Sequence, residues 1–169
     1  MKTYLPYEMN VVKLTALSSD SVLLTLEFKD KKEAEKFAFI PGQFIELSLA
    51  GYGEIPVGIA SSPSDDIVEV SVRNVGNVSA AVHRLEKGDT VGIRGPFGNG
   101  FEPKKIHHKD LLIISGGCGI PPMRSLILDV LENKKNYGKV KLLYGSRTQK
   151  DLLFRQEYKK WAKHIKVLL

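Results

Sequence analysis

The sequence predicts a β + α/β fold in two parts. A small antiparallel barrel or sandwich comes first, followed by the opening part of a parallel, doubly wound sheet. Apolar and polar residues alternate with a period of two, in short runs between turn formers, up to about residue 103. From about residue 110 the pattern becomes apolar runs separated by stretches of helical period. Between the two lies a polar connector holding His107 and His108, which read as solvated. The predicted domains are therefore residues 1–103 and 110–169.

In the first part, Val22, Leu24, Leu26 and Phe28 alternate with Leu23, Thr25 and Glu27. Ile45, Leu47 and Leu49 alternate with Glu46 and Ser48, as Val68, Val70 and Val72 do with Glu69, Ser71 and Arg73. Pro41-Gly42, Gly51 with Gly53, Ser61 to Ser64, Gly88-Asp89 and Gly95-Pro96 supply the turns. Residues 79–85 form a helical interruption, with Ser79 as its N-cap and Val82 and Leu85 facing inward. Residues 31–36 fit a short charged helix or a solvated loop equally.

In the second part, residues 111–115 read as a fully buried strand and residues 140–144 as another. Met123, Leu126, Ile127, Val130 and Leu131 recur at helical spacing between them. Phe154, Tyr158, Trp161, Ala162 and Ile165 mark a second helix face, and residues 166–169 begin a third strand. Such a set is about half of a doubly wound sheet, so one side should be open and apolar. Either the chain is a fragment or another chain covers that side.

The 169 residues are 43% hydrophobic and 26% charged, ordinary for a globular protein. A formal charge of +6 suits an anionic ligand or acidic partner, and equally a lysine-rich surface. No basic base-reading helix, aromatic RNA-binding strand or paired Cys/His occurs, which points away from nucleic acid. The single cysteine excludes an internal disulfide and any multi-cysteine metal or iron–sulfur site made by this chain alone. No apolar run has signal-peptide or membrane-span character, so a soluble, cytoplasmic protein is expected.

The most compact chemical signal is Gly116-Gly117-Cys118-Gly119-Ile120-Pro121-Pro122, where a strand runs through glycines into a helix. Backbone N–H groups and the helix dipole there stabilise an anion, and the prolines fit the first helical turn. The loop is neither a G-x-G-x-x-G fingerprint nor a P-loop, so a phosphate cradle and a plain tight turn both stand. Cys118 is either a small residue that fits or a thiol activated by the helix N-terminus. Gly145, Ser146 and Arg147 follow the next strand, where ligands of open α/β sheets sit. Arg147 reads as a phosphate or ribose ligand or as a solvated loop residue. In the first part, Ile55, Pro56, Val57 and Gly58 suit either a flat ligand on their backbone or an edge strand. Val72, Arg73, Gly76, Val78 and Ser79 join a strand to the short helix, as a second anion site or an ordinary capped turn.

These segments, in this order, resemble the ferredoxin–NADP reductase superfamily over almost the whole chain. The resemblance rests on Pro41-Gly42-Gln43-Phe44, Val72-Arg73 with Gly76 and Ser79, Gly88-Asp89 and Gly95-Pro96-Phe97-Gly98. It continues through Gly116-Gly117-x-Gly119-Ile120-x-Pro122, Tyr144-Gly145-Ser146-Arg147 and Asp151-Leu152-Leu153-Phe154. Within that superfamily the chain looks most like electron-transfer subunits of the sulfhydrogenase, anaerobic sulfite reductase gamma and dihydroorotate dehydrogenase types.

The resemblance implies a six-stranded antiparallel flavin-binding barrel and the first part of an NAD(P)-binding domain. It implies FAD and NAD or NADP as cofactors, with no iron–sulfur cluster in this chain. Electrons would pass between NAD(P)H, FAD and an iron–sulfur centre, a partner subunit or a ferredoxin-like protein. Residues 55–58 would face the isoalloxazine, with Arg73, Gly76 and Ser79 on the FAD phosphates. Gly116, Gly117, Cys118, Gly119 and Pro121 would hold the dinucleotide with Gly145, Ser146 and Arg147, and no side chain would act as general acid or base. The superfamily's Arg-x-Tyr-Ser flavin strand falls on Ile55, Pro56, Val57 and Gly58, removing a cation and a stacking ring. A non-catalytic docking subunit and a free NAD(P)H:flavin reductase are the alternatives.

Overall fold

The computed structural model describes residues 5–169, so the first four residues of the expected barrel domain lie outside the described residues. The first part forms one six-stranded antiparallel sheet. Its strands are β1 (Tyr7–Ala16), β2 (Ser21–Phe28), β3 (Phe44–Leu49), β4 (Gly53–Gly58), β5 (Val68–Arg73) and β6 (Thr90–Phe97). They lie in the order β4-β3-β6-β1-β2-β5, and a bridge between Ile59 and Val70 draws the two ends together into a barrel. The alternation explains why: Ile45, Leu47 and Leu49 of β3 and Val68, Val70 and Val72 of β5 all enter one buried core.

Gln43 shows what its motif does locally. Its side-chain oxygen accepts from Ile40 N at 2.9 Å while its amide donates to Gly98 O at 2.8 Å, tying the entry of β3 to the exit of β6. Residues 31–34 do form a helical turn, α1 (Lys31–Ala34), capped by Asp30 through a 2.8 Å bond from Lys32 N. The second helix, α2 (Asn77–Val82), starts two residues before the expected position, and its N-cap is Gly76 rather than Ser79. Ser79 acts from inside the helix: its Oγ accepts from Val75 N and Gly76 N, each at 2.9 Å, and donates to Gly76 O. A further turn, α3 (Pro103–Ile106), leads into the connector, where the His107 ring meets the Tyr137 ring edge-on at 5.2 Å.

The second part is a three-stranded parallel sheet, β7 (Leu111–Gly116), β8 (Val140–Gly145) and β9 (Lys166–Leu168), in that order. The helix α4 (Ile120–Glu132) links β7 to β8 and buries Leu126, Ile127 and Val130. The expectation of fully buried strands is corrected here. Ile113 is buried, but its neighbours Leu112 and Ile114 are 59% and 66% exposed. Both crossovers lie on one face, so the other face of this sheet carries Leu112, Ile114 and Leu168 in the open. An unbroken apolar run does not reveal that only alternate residues are covered.

The expected second helix is also shorter. Phe154 adopts a left-handed conformation (φ 58°), a 3-10 turn follows, and only α5 (Tyr158–Trp161) is α-helical. Two tyrosines explain the break. Tyr144 Oη accepts from Leu153 N at 3.2 Å, and Tyr158 Oη donates to Leu153 O, so this peptide is held by side chains and not by a helical ladder. Among the described residues no helix is long and apolar enough to cross a membrane.

The two sheets are joined through Arg124, a buried residue on α4. Its Nη1 donates to Glu69 of β5 and to the carbonyl of Ala60, both at 2.7 Å. Its Nε meets both oxygens of Glu157 at 3.0 and 3.1 Å, and the guanidinium lies 4.9 Å from the Phe154 ring centroid. Burial works against the Arg124 charge, but Glu157 and Glu69 outweigh it and hold the guanidinium protonated. Further along α4, Glu132 accepts from Ser62 Oγ at 2.8 Å and Ser64 Oγ at 2.6 Å. Leu17, Leu23 and Ala60 of the barrel pack into the second core.

Replacing Arg124 alone leaves two largely buried carboxylates unpaired. Arg124→Met is expected to lower the unfolding free energy by about 3–5 kcal/mol in urea titrations. Combining Arg124→Met with Glu69→Gln and Glu157→Gln should recover much of that loss.

Candidate functional site

A cavity of about 560 Å³ opens where the C-terminal ends of β7 and β8 face the barrel. Gly116, Gly117 and Cys118 line it on one side, and Gly145, Ser146, Arg147, Asp151 and Leu153 on another. Asp20, Ser21 and Arg73 close it from the barrel. A second cavity of about 660 Å³ shares Gly145, Ser146 and Arg147 with the first, and continues past Thr148, Gln149, Arg155 and Tyr158. The two form one groove across the ends of the parallel strands, where ligands of such sheets bind.

The glycine loop is a 3-10 turn (Gly117–Gly119) between β7 and α4, and its left-handed residue is Gly117 (φ 48°). An added Cβ at Gly116, Gly117 or Gly145 would meet nothing within 4 Å, so the glycines leave open space that a bound group can fill. Pro121 and Pro122 carry no N–H, so the backbone donors at this corner are those of the glycine loop and Ile120, at the positive end of α4. Pro121 is buried at the start of α4, where its missing N–H costs nothing, and Cys118 is exposed. Beneath the loop Tyr144, 2% exposed, donates to Gly117 O at 2.9 Å while accepting from Leu153 N. One phenol therefore ties the phosphate-type loop to the segment that walls the other side of the cavity. Burial pushes the Tyr144 phenol upward, so it stays protonated as a donor. Ser115 Oγ is buried close under Gly119 with no hydrogen-bond partner among the described residues.

Arg147 is largely exposed and makes only a loose contact with Asp151, Nε to Oδ2 at 3.6 Å. Asp151 in turn accepts from Thr148 Oγ1 at 3.1 Å, and Ser146 Oγ donates to Thr148 O at 2.6 Å, which sets the shape of the loop. On the barrel wall, Arg73 Nε donates to Asp20 Oδ2 at 2.7 Å. Arg73, then Ser21 and Ser18, lower the Asp20 carboxyl to about 2, so it is ionised throughout the neutral range.

Of the residues singled out from sequence, Arg73, Gly116, Gly117, Cys118, Gly145, Ser146 and Arg147 thus converge on one cavity. Ile55, Pro56, Val57, Gly58, Val72, Gly76, Val78 and Ser79 line neither of the two cavities. They form a neighbouring region in which α2 packs on β4, with Val78 3.6 Å from where a Cβ on Gly53 would stand. Pro56 is exposed on β4, the end strand of the sheet, while Val57 and Val72 turn into the barrel core. The hydroxyl of Ser79 is occupied by its own turn, so it shapes that region from within.

Gly58 links the two regions. An added Cβ there would lie 3.0–3.3 Å from the ring of Pro122, so glycine lets the end of β4 meet the start of α4. Sequence reasoning missed Asp20, Ser115 and the structural role of Tyr144. Asp20 stands in a run of serines that reads only as a turn, and no local signal marks it.

Residues 8–101 match the family model described as oxidoreductase FAD-binding domain, and residues 113–167 match oxidoreductase NAD-binding domain. The chain is 36% identical over 164 residues to sulfhydrogenase 2 subunit gamma of Pyrococcus furiosus, covering 97% of this chain and 57% of that one. Sulfhydrogenase 1 subunit gamma of the same organism is 41% identical over 155 residues, covering 91% and 53%. A probable dihydroorotate dehydrogenase B (NAD(+)) electron transfer subunit of Pyrococcus abyssi is 41% identical over 121 residues, covering 70% and 42%. The chain spans about half the length of these curated relatives. Among solved structures, ferredoxin–NADP+ reductase from Plasmodium falciparum superposes with a TM-score of 0.81 at 17% identity, covering 99% of this chain and 72% of that one. An Amycolatopsis cytochrome P450 reductase gives 0.80 at 22%, covering 96% and 50%. At these identities the structural likeness establishes the fold, that of ferredoxin–NADP reductases.

The phenol of Tyr144 gives a test of how the loop is held. Tyr144→Phe should cost about 1–2 kcal/mol in stability and accelerate amide exchange at Leu153, whose N–H it binds. Unchanged exchange at Leu153 would show that the loop is held by other contacts.

Proposed function

The chain belongs to the oxidoreductase FAD-binding domain family, continued by an oxidoreductase NAD-binding domain, and on that premise we propose that the full-length protein oxidises a reduced pyridine nucleotide and relays electrons to a partner protein. One observation carries this reading. A glycine loop and an arginine at the ends of the parallel strands face the barrel across a single cavity, next to the strand that suits a flavin. FAD, when bound, supplies the conversion between two-electron and one-electron chemistry.

The chain's own residues bind, orient and shield. The N–H groups of the glycine loop and the N-terminus of α4 hold the dinucleotide diphosphate. Residues 55–58, on the exposed end strand, offer backbone to the flavin ring, with Gly76, Val78 and Ser79 flanking it. The close approach of Gly58 to Pro122 sets the flavin strand beside the start of the nucleotide helix, so that groups held on the two would be neighbours. No side chain in this arrangement is needed as general acid or base. The curated relatives are named as subunits of larger enzymes, which supports a partner subunit as electron acceptor.

We further infer a preference for NADPH over NADH, supported by the two arginines of the second cavity. Its lining includes Arg147 and Arg155, while Asp151, 3.6 Å from Arg147, stands on the adjoining first cavity. In dinucleotide sites an acidic residue receives the free ribose 2′-hydroxyl, whereas arginine receives a 2′-phosphate.

Purified full-length protein should carry a flavin spectrum that NADPH bleaches anaerobically. Absence of bound flavin even after reconstitution would overturn the redox reading in favour of a docking subunit. NADPH should have a KM at least roughly tenfold below that of NADH, and Arg155→Ala should narrow that gap. Equal KM values would remove the preference while leaving the oxidoreductase reading intact.

A further inference from the structure

We propose that Asp20 and Arg73 form a preset clamp for the diphosphate of the pyridine nucleotide, with Arg73 as the binding group and Asp20 as the residue that positions it. This rests on reading the cavity as a pyridine-nucleotide site, and it moves Arg73 from the flavin phosphates to the other cofactor.

The placement of Arg73 points to this. It is the last residue of β5, yet it shares a cavity with Gly116, Gly117 and Arg147, which belong to the parallel sheet. Cys118 and Asp151 stand in the lining of the same cavity. By contrast, the β4 residues expected beside a flavin do not line that cavity.

Its orientation is fixed from behind. Ladder pairing of Ser21 with Arg73 sets the start of β2 beside the end of β5, and Asn74 N donates to Asp20 O at 2.8 Å. The Asp20 carboxylate is itself held, since Ser18 Oγ and Ser21 Oγ each donate to Oδ1 at 2.9 Å. Its other oxygen takes only Nε of Arg73. Among the described residues, the two terminal nitrogens of that guanidinium have no protein partner. They form the edge that grips two phosphate oxygens side by side.

The net effect of Asp20 depends on two opposing contributions. Its negative charge weakens the attraction of the site for an anion, at solvent-exposed positions where screening keeps that loss small. Against this, an arginine free in solvent loses rotamer freedom when it grips a phosphate, whereas one already held by Asp20 has lost it on folding. Preorganisation is the larger contribution, so Asp20 strengthens binding despite its sign. An anion gripped in this way touches the barrel and the parallel sheet together.

The test is calorimetric titration of ADP-ribose into the flavin-loaded full-length protein, with flavin content read from the spectrum. Arg73→Ala should raise the Kd for ADP-ribose by roughly 10- to 100-fold with flavin content maintained. Asp20→Asn should raise it by roughly 3- to 10-fold, and should add little in an Arg73→Ala background, because it acts only through that arginine. The proposal is overturned if Arg73→Ala loses flavin while ADP-ribose binds as before, or if the unaltered protein does not bind ADP-ribose. Tighter binding by Asp20→Asn, or an equal effect with and without Arg73, would remove the positioning role. Arg73-dependent binding of ADP-ribose in a protein that fails to oxidise NADPH would support the clamp while sinking the redox reading.

Discussion

The buried guanidinium of Arg124 sets how the two sheets stand against each other, and the cavity between them exists only in that relation. Arg124 lies in the second turn of α4, whose first turn carries the glycine loop. Holding the helix against Glu69 and Ala60 of the barrel therefore also sets the loop opposite Arg73. Burying this charge is costly, and the two carboxylates, the carbonyl and the Phe154 ring offset that cost without making it a large net gain. A hydrophobic seam would bind the halves as strongly but would slide more readily. Directional ion pairs give the interface one register.

The remaining features of the site follow from that placement. Tyr144 carries the loop on a hydroxyl that also holds Leu153, so the floor and the wall of the cavity are coupled through one side chain. Gly58 allows the end of β4 to meet Pro122, and so accounts for glycine where related flavin strands carry serine. The flavin-type strand and the nucleotide-type helix thus touch, while the phosphate-type groups face each other across open space. The fold combines close contact between its two parts at Gly58 and Pro122 with open space a short way off, at the glycine loop and Arg73.

Much of the fold was legible because its signals are local. Period-two runs such as 45–49 and 68–72 place every second residue in the barrel core, and the helical spacing from Met123 to Leu131 names the buried face of α4. The errors share a cause. Residues 111–114 are uniformly apolar, so their pattern does not show that Leu112 and Ile114 face outward. Phe154 looks like the start of a helix by spacing, but Tyr144 from the preceding strand claims the Leu153 N–H, and Tyr158, a member of the expected helix face, turns its hydroxyl back on the Leu153 carbonyl. Ser79 resembles an N-cap by type, whereas the backbone lets Gly76 take that position and turns the serine back on it.

By itself, then, the sequence determined the two-part architecture, the glycine loop with its helix, and the family to which these motifs belong. Each is written in contiguous residues, where turn chemistry, periodicity and steric freedom act over a few positions. Tertiary structure decided which of those residues meet. Arg124 is one cation among the apolar residues of a helix until Glu69 and Glu157, 55 and 33 residues away, come to it. Asp20 is a turn residue until ladder pairing brings Arg73 to its side, 53 positions on. Electrostatic and hydrogen-bonding partners act through space, and no local pattern in the chain records where the fold will bring them.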